Sequence, residues 1–180
     1  TNDTFLFAAV IAGTLAIVLV LLLARRRPRR KAASVISEVW VLVDGSNVMH
    51  WQGGAPSLAP VKAVVKRLTR LGYVAGVVFD ANAGWKLFDR YQHDGDFARL
   101  LGLEKRQVLV VNKGTQADPF LLKTAREFGA RIVSNDRFRD WAEAHPEVLD
   151  RGFLIRGGMK DGQVWLKGLE AIGAQETAPR

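Results

Sequence analysis

Trp40-Val41-Leu42-Val43-Asp44-Gly45-Ser46-Asn47-Val48 decides how the rest of the chain is read. Four apolar residues in a row, with no alternating polar face, have the pattern of a short strand buried on both sides. Asp44-Gly45 then closes the run as a turn. Downstream, Val61, Val64, Val65, Leu68 and Leu71 recur at helical spacing and Gly72 stops that helix. Residues 74–79 form a second strand closed by Asp80, residues 108–111 a third, and residues 131–133 a fourth, followed by Ser134-Asn135-Asp136. Residues 97–103 predict a short helix, and Asp80-Ala81-Asn82-Ala83-Gly84 reads as much like a loop as a site. Asp118-Pro119 opens a longer helix, with Asp as N-cap and Pro at the first helical position. Its inward residues are Leu121, Leu122, Ala125 and Phe128, and Gly129 is its C-cap. Residues 153–155 and 163–166 predict a fifth strand and an edge hairpin. Apolar strands alternating with helices imply an α/β domain with a mostly parallel central sheet and helices on both faces.

Upstream of this domain lies a different kind of segment. Residues 5–24 (FLFAAVIAGTLAIVLVLLLA) are 20 residues without a charge, Pro, Asn or Gln, long enough as a helix to cross a hydrocarbon core of roughly 30 Å. The next seven residues, Arg25 to Lys31, hold six cations, and Asp3 alone precedes the span. A cleaved signal peptide has its cations before the apolar run, so the pattern predicts a retained single-pass transmembrane anchor. The positive-inside rule puts the N-terminus outside an inner or plasma membrane and the folded domain in the cytoplasm. Ala8, Ala12 and Ala16 form a small-residue stripe that would let two anchors pair into a homodimer, although small residues are ordinary in such helices. The expected organisation is an anchor over 1–24, a basic juxtamembrane linker over 25–37, one domain over 38–170 and a polar tail over 171–180.

Composition excludes some classes and leaves others open. The chain has no Cys, hence no disulfide framework and no thiolate zinc site, and its three His are far apart. The formal charge of +8 sits largely in the basic flank. Beyond residue 31 the chain carries 20 of its 26 cations and 17 of its 18 acids, so net charge does not name a partner.

The acids are placed more tellingly than they are numbered. Open parallel sheets collect ligands at the carboxyl ends of their strands. Asp44 follows the first strand, Asp80 the second and Asp136 the fourth; Asp118 opens the helix after the third, and Asp140 lies four residues beyond Asp136. A helical 136–140 segment would turn both acids to one side, where like charges repel unless a cation lies between them. Converging carboxylates without Cys or His suit Mg²⁺ or Mn²⁺, the ions that serve phosphodiester hydrolysis. Each acid also has an ordinary reading: a cap for Asp118 or Asp136, a turn for Asp44, a surface pair with Arg137 or Arg139 for Asp140.

Two of these motifs carry a resemblance. Val41 to Val48 (VLVDGSNV) resembles the opening strand and turn of NYN-domain, PIN-like ribonucleases, in the branch related to the CCCH zinc-finger ribonucleases. Val133 to Asp140 (VSNDRFRD) resembles that branch's later motif, and Ala117-Asp118-Pro119-Phe120-Leu121 sits where its middle acidic motif begins a helix. The likeness covers about residues 38–156. It implies a PIN-like three-layer fold and a metal-dependent endoribonuclease, with Asp44, Asp118, Asp136 and Asp140 holding one or two Mg²⁺ or Mn²⁺ ions. Hydrolysis would leave a 5′-phosphate and a 3′-hydroxyl. The resemblance also implies that Asn47 orients Asp44 or touches the scissile phosphate, with Ser46 supporting the turn. Lys113, Arg137 and Arg139 are the candidates for the RNA backbone, and Trp51 and Trp85, in loops, for stacking on single-stranded or looped RNA. Trp40 and Trp141 are expected in the core. Two departures stand out: the first acid of the middle motif is Ala117, and the chain has no zinc finger. The alternative function is an RNA-binding or scaffold protein that keeps the fold with a partial site; a phosphatase would want an Asp-x-Asp pair that Asp44-Gly45-Ser46 lacks.

Overall fold

The computed structural model describes residues 38–172. The expected anchor and basic linker lie outside the described residues, as does the tail from residue 173. Among the described residues no helix is long and apolar enough to cross a membrane.

Five strands make one sheet: β1 (Trp40–Asp44), β2 (Val74–Phe79), β3 (Val108–Val110), β4 (Arg131–Val133) and β5 (Leu154–Ile155). Their order is β3-β2-β1-β4-β5, and every neighbouring pair is parallel. Alternation along β1 divides the core. Val41 and Val43 face a cluster with Val61, Val64 and Leu68 of helix α2 (Leu58–Arg70) and Phe97 of helix α4 (Asp94–Leu101). Leu42 faces the other side, with Leu121, Leu122 and Ala125 of helix α5 (Ala117–Phe128). The result is the three-layer arrangement expected, because parallel strands joined by helical crossovers must be covered on both faces.

Chain direction creates the functional edge. From β1 the chain moves outward to β2 and β3, then returns through α5 to place β4 on the far side of β1. The order reverses between β1 and β4, so the loops at their carboxyl ends part and leave a crevice.

Several local expectations are corrected. Asp44-Gly45 is the start of a one-turn helix, α1 (Gly45–Val48), with Asp44 as its N-cap. Gly45 is required there because a Cβ would lie 2.5 Å from the ring of Phe79, which stacks on Phe97 at 4.2 Å. The expected 80–84 loop turns into helix α3 (Ala83–Phe88), whose small residues Ala83 and Gly84 are buried. Helix α4 begins at Asp94, earlier than residue 97, because His93 and Asp96 form a capping box. Helix α5 begins at Ala117 with Gln116 in the cap position, so Asp118 is not the cap. The hairpin, β6 (Gly157–Lys160) with β7 (Gln163–Leu166), is a separate two-stranded sheet. Val164 and Leu166 pack against the α2 side of the core, which draws the ribbon onto that face instead of beside β5. Its turn, Asp161-Gly162, has positive φ at both residues, as a two-residue hairpin of native twist requires.

Candidate active site

Asp44 ends β1 almost wholly buried, 9% exposed. Its Oδ1 accepts the Asn47 backbone N–H at 3.0 Å and its Oδ2 accepts the Ser134 hydroxyl at 2.8 Å. Burial pushes its pKa up to about 6; the two hydrogen bonds pull against that, and the charges of Asp118 and Asp80 add to it. Ser134 is fully buried, and its oxygen also accepts the Asp136 N–H at 3.0 Å. One hydroxyl therefore fastens the loop after β4 to the carboxylate after β1.

Asp136 is exposed, and its Oδ1 accepts the Phe138 N–H at 2.7 Å, an Asx turn. Phe138 is buried with φ of 49°, and only Arg139–Trp141 closes a 3₁₀ turn. Residues 136–140 are thus not a helix, which corrects the expectation that Asp136 and Asp140 share a helical face. They meet through Asp118 instead. Asp118, in the first turn of α5 and half-buried, has its pKa raised by burial, then by the charge of Asp136, with Asp80 and Asp140 adding and the Trp141 indole opposing. Asp118 and Asp80 therefore act on Asp44, and Asp136, Asp80 and Asp140 act on Asp118, at one edge of the sheet. Among the described residues, the charges that act most on Asp44 and Asp118 are carboxylates.

The remaining expected residues divide by role. Asn47 holds Asp44 through its backbone, while its side-chain oxygen accepts the Trp51 indole N–H at 2.9 Å and the Asn135 N–H at 3.1 Å. Ser46 accepts the Asp80 N–H at 2.8 Å, stitching α1 to the end of β2. Trp51 is partly buried, and a Cβ on Gly157 would lie 2.7 Å from its ring. Trp85 is 55% exposed, on α3 and not in a loop. Lys113, Arg137 and Arg139 are exposed and form no ion pair with a described residue, so the surface pairing considered for Asp140 does not form. Trp40 and Trp141 pack against the α5 side of the core, as expected, and so does Ala117.

Three residues of the site lie outside the set that the resemblance implies. Asp80 was visible as an acid closing a strand. Ser134 and Asn135 lie inside a quoted motif, but nothing local marks their partners: Ser134 bonds across 90 positions of sequence, and Asn135 exchanges two hydrogen bonds with Gly157. A cavity of about 440 Å³ is lined by Trp40, Leu109, Phe120 and Phe128 among others and by none of these carboxylates. Asp136 and Asp140 are the exposed carboxylates of this edge, Asp44 the buried one.

The donors fit a hard divalent cation in kind and in charge, being oxygen only and negative. Among the described residues, no three His, Cys, Asp or Glu side chains are drawn up to ligate an ion as they stand.

The family model described as the Zc3h12a-like Ribonuclease NYN domain matches residues 37–151. No curated protein matches significantly. Two solved structures of the nuclear protein-only RNase P 2 of Arabidopsis thaliana are similar in fold, each with a TM-score of 0.54 and covering 74% of this chain, at 19% and 18% identity. This chain spans 30% of the length of those chains.

Proposed function

Because the chain belongs to the Zc3h12a-like ribonuclease NYN domain family, we propose that it is a metal-dependent endoribonuclease that hydrolyses single-stranded or looped RNA at the cytoplasmic face of a membrane. The observation that carries the reading is Asp44, a buried carboxylate pushed up to about 6 whose charged neighbours are further carboxylates. The RNase P similar in fold is by name a ribonuclease, which agrees with RNA as the substrate class.

Asp44, Asp118, Asp136 and Asp140 would hold Mg²⁺ or Mn²⁺, which supplies charge for the phosphate and acidity for the attacking water. The other parts are the chain's own. The Asn47 N–H and the Ser134 hydroxyl fix both oxygens of Asp44, and the Phe138 N–H fixes one of Asp136, so these carboxylates are held before any substrate arrives. Lys113, Arg137 and Arg139 draw the RNA backbone to the acidic edge by charge. Attack of water on phosphorus with the P–O3′ bond breaking would leave a 5′-phosphate on one fragment and a 3′-hydroxyl on the other. The uncharged run 5–24 and the cations behind it support anchorage in an inner or plasma membrane with the domain in the cytoplasm, and the Ala8, Ala12, Ala16 stripe would serve a homodimer.

The test is incubation of the full chain with end-labelled single-stranded RNA in Mn²⁺. Cleavage to fragments bearing 5′-phosphates, abolished by EDTA and by Asp136→Asn, is the expected result. Ala117 in place of an acid favours a second reading, an RNA-binding or scaffold protein. A folded chain that binds RNA without cutting it would establish that one instead.

A further inference from the structure

The β6–β7 ribbon lies beyond residue 151, where the family match ends, yet it is fastened to the site. Asn135, beside Asp136, donates to the Gly157 carbonyl at 2.9 Å and accepts its N–H at 3.2 Å. Trp51, bonded to Asn47, closes on the same glycine. The next residue, Gly158, pairs across the ribbon with Trp165, and a Cβ on Gly158 would lie 3.0 Å from the Trp165 Nε1. Strand alternation sends Val164 and Leu166 toward the core and leaves Trp165 48% exposed. Beside it an open recess of about 410 Å³ is lined by Lys160, Asp161, Gln163, Val164 and Trp165.

Trp51 and Trp165 thus meet successive glycines with different consequences. One indole is spent on the fold, its N–H bonded and its ring packed. The other rests against Gly158 and keeps about half its surface in water, with Lys160 bordering the same recess. Proteins that hold single strands combine these two elements, an aromatic face for a base and a cation for the phosphate.

Resting on the ribonuclease reading, we propose that Trp165 is a stacking platform for a base of the RNA strand next to the carboxylate site, with Lys160 contacting the backbone. Stacking of this kind accepts any base, since each has a π face; it would hold the strand without choosing its sequence.

The experiment uses the full chain carrying Asp136→Asn, so that RNA stays intact, and titrates it with a short fluorescent single-stranded RNA. Trp165→Leu keeps an apolar cover on Gly158 but removes the aromatic face, while Trp165→Phe keeps a ring. The Leu variant should bind about tenfold more weakly and the Phe variant within about threefold of the parent, with the Tm of both close to the parent's. A strand of the same length without bases should bind parent and Leu variant alike. Equal affinity of the Leu variant and the parent for intact RNA would overturn the proposal, as would a loss seen equally with the abasic strand. Should the Leu variant fail to fold, the parent must still prefer base-bearing RNA and show a change in tryptophan emission that Trp165→Phe lacks; otherwise the proposal falls. A parent that binds no RNA overturns the ribonuclease reading as well, whereas RNA binding with a silent Trp165 overturns this inference alone.

Discussion

Asp44 works against the fold that contains it. Its pKa is raised from 3.8 to about 6, first by burial, so the folded chain favours the protonated acid and the unfolded chain does not. The stability this contributes is complete below about pH 4 and is lost as pH rises through about 6. Above pH 7 the loss amounts to about 3 kcal/mol, from about two units at 1.36 kcal/mol each. Asp44→Asn, which cannot ionise, should match the wild type near pH 4 and exceed it by up to about 3 kcal/mol at pH 7.5, in urea unfolding with EDTA present. Equal stabilities at pH 7.5 would show that the carboxylate is not strained by its surroundings. The same variant should lose RNA cleavage, because Asn no longer supplies an anionic oxygen. A residue that costs stability at neutral pH and sits among like charges is arranged for chemistry more than for folding.

Among the elements, α1 is the least conspicuous and the most constrained. Its four residues hold Asp44 through the Asn47 N–H, Asp80 through Ser46, and Asn135 through the Asn47 side chain. Gly45 lets this turn lie on Phe79, where a Cβ would approach to 2.5 Å. Gly45→Ala should therefore destabilise the domain by about 1–3 kcal/mol and depress RNA cleavage by more than the unfolded fraction accounts for, since it shifts three loops together. Unchanged unfolding and activity would mean that Phe79 yields freely. The strands and the long helices α2 and α5 are legible in the sequence because apolar periodicity over many residues leaves few alternatives. Helices α1 and α3 are not, being too short to show a period, and the α5 boundary moves by two residues because Asp118-Pro119 fits a cap and a first turn about equally well. The acids of the site are legible from their places after strands. The hydroxyl and amides that hold them are not, because those bonds join loops that only the folded sheet brings together.

The molecule as a whole places its acids where its topology opens. The strand order reverses between β1 and β4, and Ser134 and Asn135 span that gap to Asp44 and Asn47. On the far side, Arg126 of α5 donates to the Ala144 carbonyl and to Glu147, tying the segment after Asp140 to the helix that carries Asp118. The carboxylates thus come from the ends of β1 and β2, the first turn of α5 and the segment after β4, all set against one sheet, which suits a site whose spacing must survive the approach of a polymer. The most direct test is a titration of the full chain with Mn²⁺ at pH 7.5, following free Mn²⁺ by electron paramagnetic resonance. The wild type should remove Mn²⁺ from solution saturably, and Asp44→Asn and Asp118→Asn, both folded, should each lose most of that binding. A folded wild type that leaves Mn²⁺ free, or variants that bind as the wild type does, would contradict a shared cation site at this edge.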